Sequence, residues 1–374
     1  MNTAPRNVLH TTWPRAVLTA LGACLIVGVV LLGFAWPSVT ASPKNLPVGI
    51  VGSDAQVTQV EKAIAEKADG AVKLSVYDDR AAAVAAIKSR HAYGAIVLGA
   101  APTDAPEILT SSAASTAAAQ LLTGLGTGLQ AQIDAQIRST VEKNVQKAAA
   151  AGPAGAAALQ KLTIPTVTVV VNDVVPLADS DPRGTGIAAA MFPLTLGGML
   201  GAMVVSFAIK GNWRRLAGLA VYAVGAGLVL TSILQAWFGA LQGDFLTNAA
   251  AIALSIAAVS APIVGLYSLI GTPGLGLGAG FTLLIANPLS AATMPVEFLA
   301  TPWGSFGQAL APGAAGTLIR TLSYFPDAAT GTQWTTLAIW AGAGLLLLAL
   351  SGVRRPASAA AGLSSTSSAQ PATA

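Results

Sequence analysis

The chain offers very few residues from which a catalytic or metal site could be assembled. It has two histidines, His10 and His91, and a single cysteine, Cys24. Zinc sites and Ser-His-Asp triads need such groups brought into direct contact. The membrane topology derived below places the two histidines on opposite sides of a bilayer, so neither site forms. His91 follows Lys88 and Arg90 and reads as part of a solvated helix end. Cys24 lies in an apolar run with no second thiol, so it reads as a small packing residue, and no disulfide is available. Asp78 and Asp79 read as a helix N-cap with a second acid at the positive helix end. Asp179 and Asp181 read as a solvated loop rather than a cation site. The glycine runs at 124–128 and 274–280 lack the lysine of a phosphate-binding G-x-x-x-x-G-K-[ST] loop. No catalytic residue, cofactor or metal is expected, and an enzyme is the least supported class.

Charge is distributed more informatively than chemistry. Of 374 residues, 53% are apolar and 10% are charged, against about 25% charged in ordinary soluble proteins. Residues 37–184 hold 25 of the 36 charges, whereas only seven lie between Gly184 and Arg354. The net charge of +4 is small and dispersed, with no basic stripe interleaved with aromatics, so nucleic acid is not an expected partner.

A bilayer core of about 30 Å is crossed by about 20 apolar residues in a helix. Six runs have that character: 16–36, 185–209, 216–241, 249–270, 275–293 and 334–353. The first exceeds a signal-peptide core of about 7–15 residues and reads as a retained anchor. Arg6 and Arg15 precede it, Lys210, Arg214 and Arg215 separate the second and third runs, and Arg354 and Arg355 follow the sixth. With six spans these basic clusters all fall on one side, which the positive-inside rule makes cytoplasmic. Asp244, Glu297 and Asp327 fall on the other. The expected fold is an α-helical integral membrane protein of six spans, one plus five, with an inserted extracytoplasmic α/β domain at 37–184. Residues 1–15 and a disordered tail at 354–374 are expected in the cytoplasm.

Within the insert, strands are expected at 47–51, 72–77 and 92–98. Helices are expected at 54–68, with Asp54 as its cap, and at 78–90. This alternation implies a parallel sheet, with a further strand at 107–110. A helix at 113–151 follows, with Leu121, Leu125, Leu129, Ile133, Ile137, Val141 and Val145 four apart. At 3.6 residues per turn that stripe drifts around the axis, which suits a helix wrapping over a domain or partner. Gly124, Gly126 and Gly128 weaken its start. A strong strand is expected at 166–171, then re-entry to the membrane at 173–186.

In the membrane half, Gly197-x-x-x-Gly201 and Gly276-x-x-x-Gly280 allow close helix approach. No acid or base lies at mid-span, which disfavours ion-coupled transport. The stretch after the fifth run is outside the membrane yet rich in Trp, Phe, Leu and Ile. Prolines at 288, 295, 302, 312 and 326 punctuate it. It reads as short helices dipping back into the outer leaflet, about 294–330. Arg320, the only base there, is expected to pair with Glu297 or Asp327 or to meet lipid headgroups, with a structural ion pair favoured.

The layout, the motif Asn287-Pro288-Leu289-Ser290-Ala291-Ala292, then Pro295, Glu297, Phe298, Leu299, Trp303, Gly304, Gly307, Gln308, Pro312, Gly313, Arg320, Tyr324 and Phe325, resemble the permease subunits of type-2 ABC exporters. The likeness is to the actinobacterial branch related to the YhgE/Pip-like phage-infection proteins, and Asp181-Pro182-Arg183-Gly184 and Tyr93-Gly94-Ala95 share it. The resemblance implies a bacterial cell-membrane protein that works as a homodimer or with a related permease. It implies a separate cytoplasmic ATPase and export of lipidic, polymeric or drug-like molecules. The candidate outer re-entrant motif is then Asn287, Pro288, Glu297, Gln308, Pro312, Gly313 and Arg320. The candidate ATPase-coupling loop is Lys210, Trp213, Arg214 and Arg215. That loop is shorter than the coupling helix of the family. A membrane receptor or assembly scaffold on the same fold is the alternative.

Overall fold

In a computed structural model, residues 12–67, 70–99, 104–152 and 167–353 are described. Arg6, His10 and the tail at 354–374 lie outside them. A first helix, α1 (Trp13–Thr40), leads into β1 (Leu46–Val51), α2 (Asp54–Lys67), β2 (Val72–Val76), α3 (Arg80–Lys88) and β3 (Gly94–Val97). Then come β4 (Glu107–Thr110), α4 (Thr116–Ala150) and β5 (Val170–Asp173).

The five strands form one sheet in the order β2-β1-β3-β4-β5. The expected all-parallel sheet is corrected to a mixed one. β1 pairs parallel with β2 and β3, but β4 runs antiparallel to β3. The short link at 98–106 contains no described helix, and a parallel return needs a crossover of a dozen or more residues. The link from β4 to β5 does contain a helix, α4, and that pair is parallel. The last strand is shifted from 166–171 to Val170–Asp173; Thr166 lies outside the described residues. Ser53, rather than Asp54, holds the N-cap position of α2, and the Gln56 side chain accepts from both the Ser53 N–H and hydroxyl at 2.9 Å, one half of a capping box. Asp79 caps α3 by accepting from Ala82 N at 2.7 Å.

Helix α4 runs unbroken through its three glycines. Its first half packs on the sheet through Ala118, Leu122 and Gly126. Gln130 adds an anchor, donating to the Val167 carbonyl at 2.9 Å and accepting from Val169 N–H. Beyond it Val145 is 40% exposed. Among the described residues the stripe packs on the sheet over its first half.

From Thr185 to Val353 the described chain is largely helical. It comprises α5 (Thr185–Ala208), α6 (Asn212–Thr231, prolonged by a π turn to Trp237), α7 (Phe245–Ile270) and α8 (Thr272–Phe281, prolonged by a π turn to Ala286). Two 3₁₀ turns, Pro288–Ser290 and Val296–Phe298, precede α9 (Trp303–Gln308), α10 (Ala311–Tyr324) and α11 (Gly331–Val353). Five helices, α1, α5, α6, α7 and α11, are long and apolar enough to cross a membrane. The fifth expected span is corrected: α8 with its π turn covers only Thr272–Ala286, and it is too short to join those five. Pro288, which has no backbone N–H to continue the ladder, follows directly.

The order of contacts fixes the direction of each helix. The C-terminal end of α1 meets the Val296–Phe298 turn, where Ser42 N donates to Phe298 O at 3.1 Å. Ser180 bonds Gly239 beyond α6, and Tyr324 approaches the Ala240 carbonyl. These ends share the side that carries the sheet domain. The opposite end holds the α5–α6 turn, the last turn of α7 and the last turn of α11, joined by Arg215 to Ser268 and by Asn212 to Ser351. Helix α7 is the most buried and packs between α6 and α11. A Cβ on Gly344 would overlap the α7 backbone at Ala261 and Pro262, so that close crossing requires glycine. Gly197 and Gly201 face Tyr222 of α6, an internal packing role, whereas Gly276 and Gly280 face open space.

Arg80 and Glu107 tie α3 to β4 through a two-pronged ion pair, with N···O distances of 2.6 and 2.8 Å. The Arg80 hydrogen bond, helped by Asn172, holds the Glu107 carboxyl below the usual glutamate range. A depressed carboxylate contributes stability that is present above its unfolded value and is lost as pH falls through the folded one. Thermal unfolding followed by circular dichroism should therefore show a falling midpoint once the pH drops below about 4.3. A Glu107→Gln variant should show a smaller acid-dependent fall; an identical pH profile would count against the bridge.

Candidate functional site

Two places in the fold gather the unusual residues: a cavity in the apolar bundle, and the junction between bundle and sheet domain. The cavity is about 410 Å³, within the range of about 300–1,000 Å³ of small-molecule pockets. Helices α7, α8, α10 and α11 line it, with Val259, Pro262, Phe281, Pro312 and Trp340 among the walls. Leu277 on its rim is 64% exposed, so it opens on the flank of the bundle. Its few polar groups are already engaged. Thr282 Oγ1 donates to Gly278 O at 2.9 Å, and Trp340 Nε1 donates to Ala309 O at 2.9 Å. Such walls bind by apolar contact and offer nothing to an ion.

The re-entrant motif is what shapes the neighbourhood of this cavity. Asn287 closes the π turn of α8, and its carbonyl accepts from Ser290 N and Oγ. Pro288 then begins the 3₁₀ turn. Gln308 bridges two separate pieces of chain. Its Nε2 donates to Ser290 O at 3.2 Å and its Oε1 accepts from Thr317 Oγ1 at 2.7 Å. Pro312 occupies the first turn of α10, where the missing N–H costs nothing. A Cβ on Gly313 would overlap the Gly307 carbonyl, and one on Gly307 would overlap the Leu289 carbonyl. The two glycines let α9 and α10 turn against the 3₁₀ segment backbone to backbone. The structure thus brings Asn287, Pro288, Gln308, Pro312 and Gly313 into one folded unit.

Glu297 and Arg320 belong to the junction instead. The expected ion pair is corrected: Arg320 donates to the carbonyls of Ala114 at 3.0 Å and Ala292 at 3.1 Å. Those carbonyls lie at segment ends that no helix or sheet ladder satisfies. Glu297 accepts from the Tyr93 hydroxyl at 3.0 Å. Burial is the main cause pushing the Tyr93 phenol well above its usual range, and the Glu297 charge adds to it. Asp327 is exposed. The only ion pair among the described residues is Arg80–Glu107.

Arg90, expected beside His91 in a solvated helix end, is drawn into the same junction. It sits at φ +62° just past α3. Its guanidinium reaches Thr321 Oγ1 and Thr317 O on α10 and stacks 5.3 Å from the Phe325 ring centroid. Burial lowers its pKa. Arg90 has no sequence signal beyond a base followed by the apolar β3. His91 stays exposed and contacts Ser89 at 2.8 Å. Asp181 is buried, and it is a cap: its oxygens accept from Thr185 N, Thr185 Oγ1 and Gly186 N at the start of α5. Cys24 lies exposed on the outer face of α1 rather than packed.

The candidate coupling loop divides in two. Lys210, Trp213 and Arg214 are exposed, Trp213 at 83%. Arg215 is buried and caps the end of α5, donating to Ile209 O at 2.9 Å and Ser206 O at 3.1 Å, with Ser268 Oγ and the Tyr267 ring as further partners. A cation at a helix C-terminus meets carbonyls that lack intrahelical partners. Only residues 209–211 separate α5 from α6. Among the described residues no group of three His, Cys, Asp or Glu side chains could hold a metal.

No family model, curated protein or solved structure matches this chain.

Gln308 gives the direct test of the re-entrant unit. Gln308→Leu removes two hydrogen bonds and leaves Thr317 Oγ1 and Ser290 O without that partner, at a cost of about 1–3 kcal/mol. Thermal unfolding in detergent should fall by several degrees, and an unchanged midpoint would mean that the bridge contributes nothing.

Proposed function

We propose that this chain is the permease-like membrane subunit of an export system for hydrophobic or amphipathic molecules, with ATP hydrolysis supplied by a separate cytoplasmic subunit. The observation that carries this reading is the apolar flank cavity beside the re-entrant helices, in a bundle with no charged residue at mid-span. A molecule partitioned in lipid can reach such walls without crossing water. The chargeless spans leave no group to couple movement to a proton or cation. The likeness of the 287–325 stretch to type-2 ABC permeases points the same way.

In this reading both termini are cytoplasmic in a bacterial cell membrane, the sheet domain is extracytoplasmic, and two permeases associate. The basic residues Arg15, Lys210 and Arg214 would share the cytoplasmic face, as the positive-inside rule requires. The short α8 would complete a sixth crossing, continued by the 3₁₀ turns, and α9 and α10 would re-enter from outside.

A second reading has its own observation. A three-residue α5–α6 turn with Arg215 locked into a cap leaves only Lys210, Trp213 and Arg214 to meet an ATPase. This favours a receptor or assembly scaffold on the same fold.

Co-expression with any ABC-type ATPase found encoded next to its gene separates the two, and a gene neighbourhood with none counts against export. Export predicts a stable complex whose ATPase rate rises with an apolar dye, and Ala258→Trp, which fills the cavity, should remove most of that rise. A complex that does not form, or a rate indifferent to dye, supports the scaffold reading. Topology is checked separately. A reporter fused after Gly243 should be active only outside the cytoplasm, and cytoplasmic activity would reverse the assignment.

A further inference from the structure

Arg90 and Arg320 come from different halves of the molecule and face one small chamber. It measures about 20 Å³ and is also lined by Tyr93, Ser290, Thr317 and the 291–292 backbone. Each guanidinium carries five N–H donors and cannot shed its charge under ordinary conditions. Their acceptors are all neutral. Arg90 uses Thr317 O, Thr321 Oγ1 and the Phe325 ring; Arg320 uses Ala114 O and Ala292 O. Among the described residues no carboxylate oxygen lies within 4.0 Å of either guanidinium.

Two acids are nearby. Glu297 is engaged by the Tyr93 hydroxyl. Asp181 lines a second chamber of about 40 Å³ on the far side of Arg320, with Tyr324. Its two oxygens are taken up by three donors at the first turn of α5, so its charge is balanced by the positive end of that helix. The inner chamber is therefore lined by two partly buried cations, and the one carboxylate that acts on Arg90 is that of Glu297, outside the lining. A partly buried charge short of counter-charge is unfavourable, and the two guanidiniums also repel each other. A cavity needs roughly 10–15 Å³ to hold one particle of water size. This one admits one such particle and is too small for a phosphodiester headgroup. Water would accept from the N–H groups but bring no charge.

We propose that this chamber binds one small inorganic anion of about the size of chloride, held between Arg90 of the sheet domain and Arg320 of the re-entrant helix α10. The anion cancels the excess charge and joins the two halves through donors supplied by each. The sheet domain is then docked on the re-entrant helices in an anion-dependent way. This does not depend on whether the chain exports anything.

The test uses the full chain in a nonionic detergent, with sodium chloride exchanged for sodium gluconate at constant ionic strength while thermal unfolding is followed. The midpoint should rise saturably with chloride. Glu297→Gln keeps an acceptor for Tyr93 and removes the competing negative charge, so half-saturation should move to a lower chloride concentration by roughly tenfold. Arg90→Gln and Arg320→Gln should abolish the dependence. If either arginine variant does not fold, the Glu297→Gln shift still decides. Equal midpoints in chloride and gluconate overturn the proposal. So does a Glu297→Gln response that is unchanged or weaker, or a response to phosphatidylglycerol micelles with none to chloride.

Discussion

Inside a packed bundle a backbone group that loses its helical partner must find another, because water does not reach it. The broken stretch between α8 and α11 is built around that constraint. Four interruptions occur there: a π turn, two 3₁₀ turns and the α9–α10 corner. Carbonyls freed along this stretch are taken up by specific groups, the Phe298 carbonyl by the Ser42 N–H and three others by side chains. Gln308 takes Ser290, Arg320 takes Ala292, and Trp340 takes Ala309. Gly307 and Gly313 supply what side chains cannot, the room for one backbone to lie on another. The apolar cavity is a consequence, because α10 begins part-way along the bundle and leaves a gap that α7, α8 and α11 surround.

The same problem recurs at the two ends of the bundle and is answered with arginine each time. Arg215 closes the end of α5 on one side, and Arg320 closes the 291–292 corner and the lead into α4 on the other. The chemical device is the same, yet the consequences differ. Arg215 has a helix C-terminus to balance its charge. Arg320 shares its surroundings with a second guanidinium, Arg90, and that makes the junction between domain and bundle electrostatically costly. Interdomain packing through Phe298, Phe325 and Ala113 adds the apolar part of the same seam.

Much of the fold was legible in the sequence. The spans at 185–209 and 249–270, the strand at β1 and the helix at 113–151 emerged within a few residues of where the chain forms them. Each is specified by the length or period of its own apolar residues. The capping roles of Asp79 and the packing role of Gly197 and Gly201 follow from local spacing. The site was less legible. Glu297 and Arg320 could be named as the acid and base of an otherwise apolar stretch, but not their partners. Arg90 and Tyr93 lie more than 200 positions away, and nothing near them in sequence marks them as partners.

The division has a physical cause. Apolar run length and periodicity act within a segment, so the sequence by itself determined that long helices suited to a membrane flank a charged, strand-forming insert. Whether β4 runs parallel or antiparallel depends on the link before it. Whether α8 continues past Asn287 depends on what receives its freed backbone. Whether an arginine is solvated or buried depends on which carbonyls other elements bring to it. Those are relations between segments, and only the tertiary structure decided them.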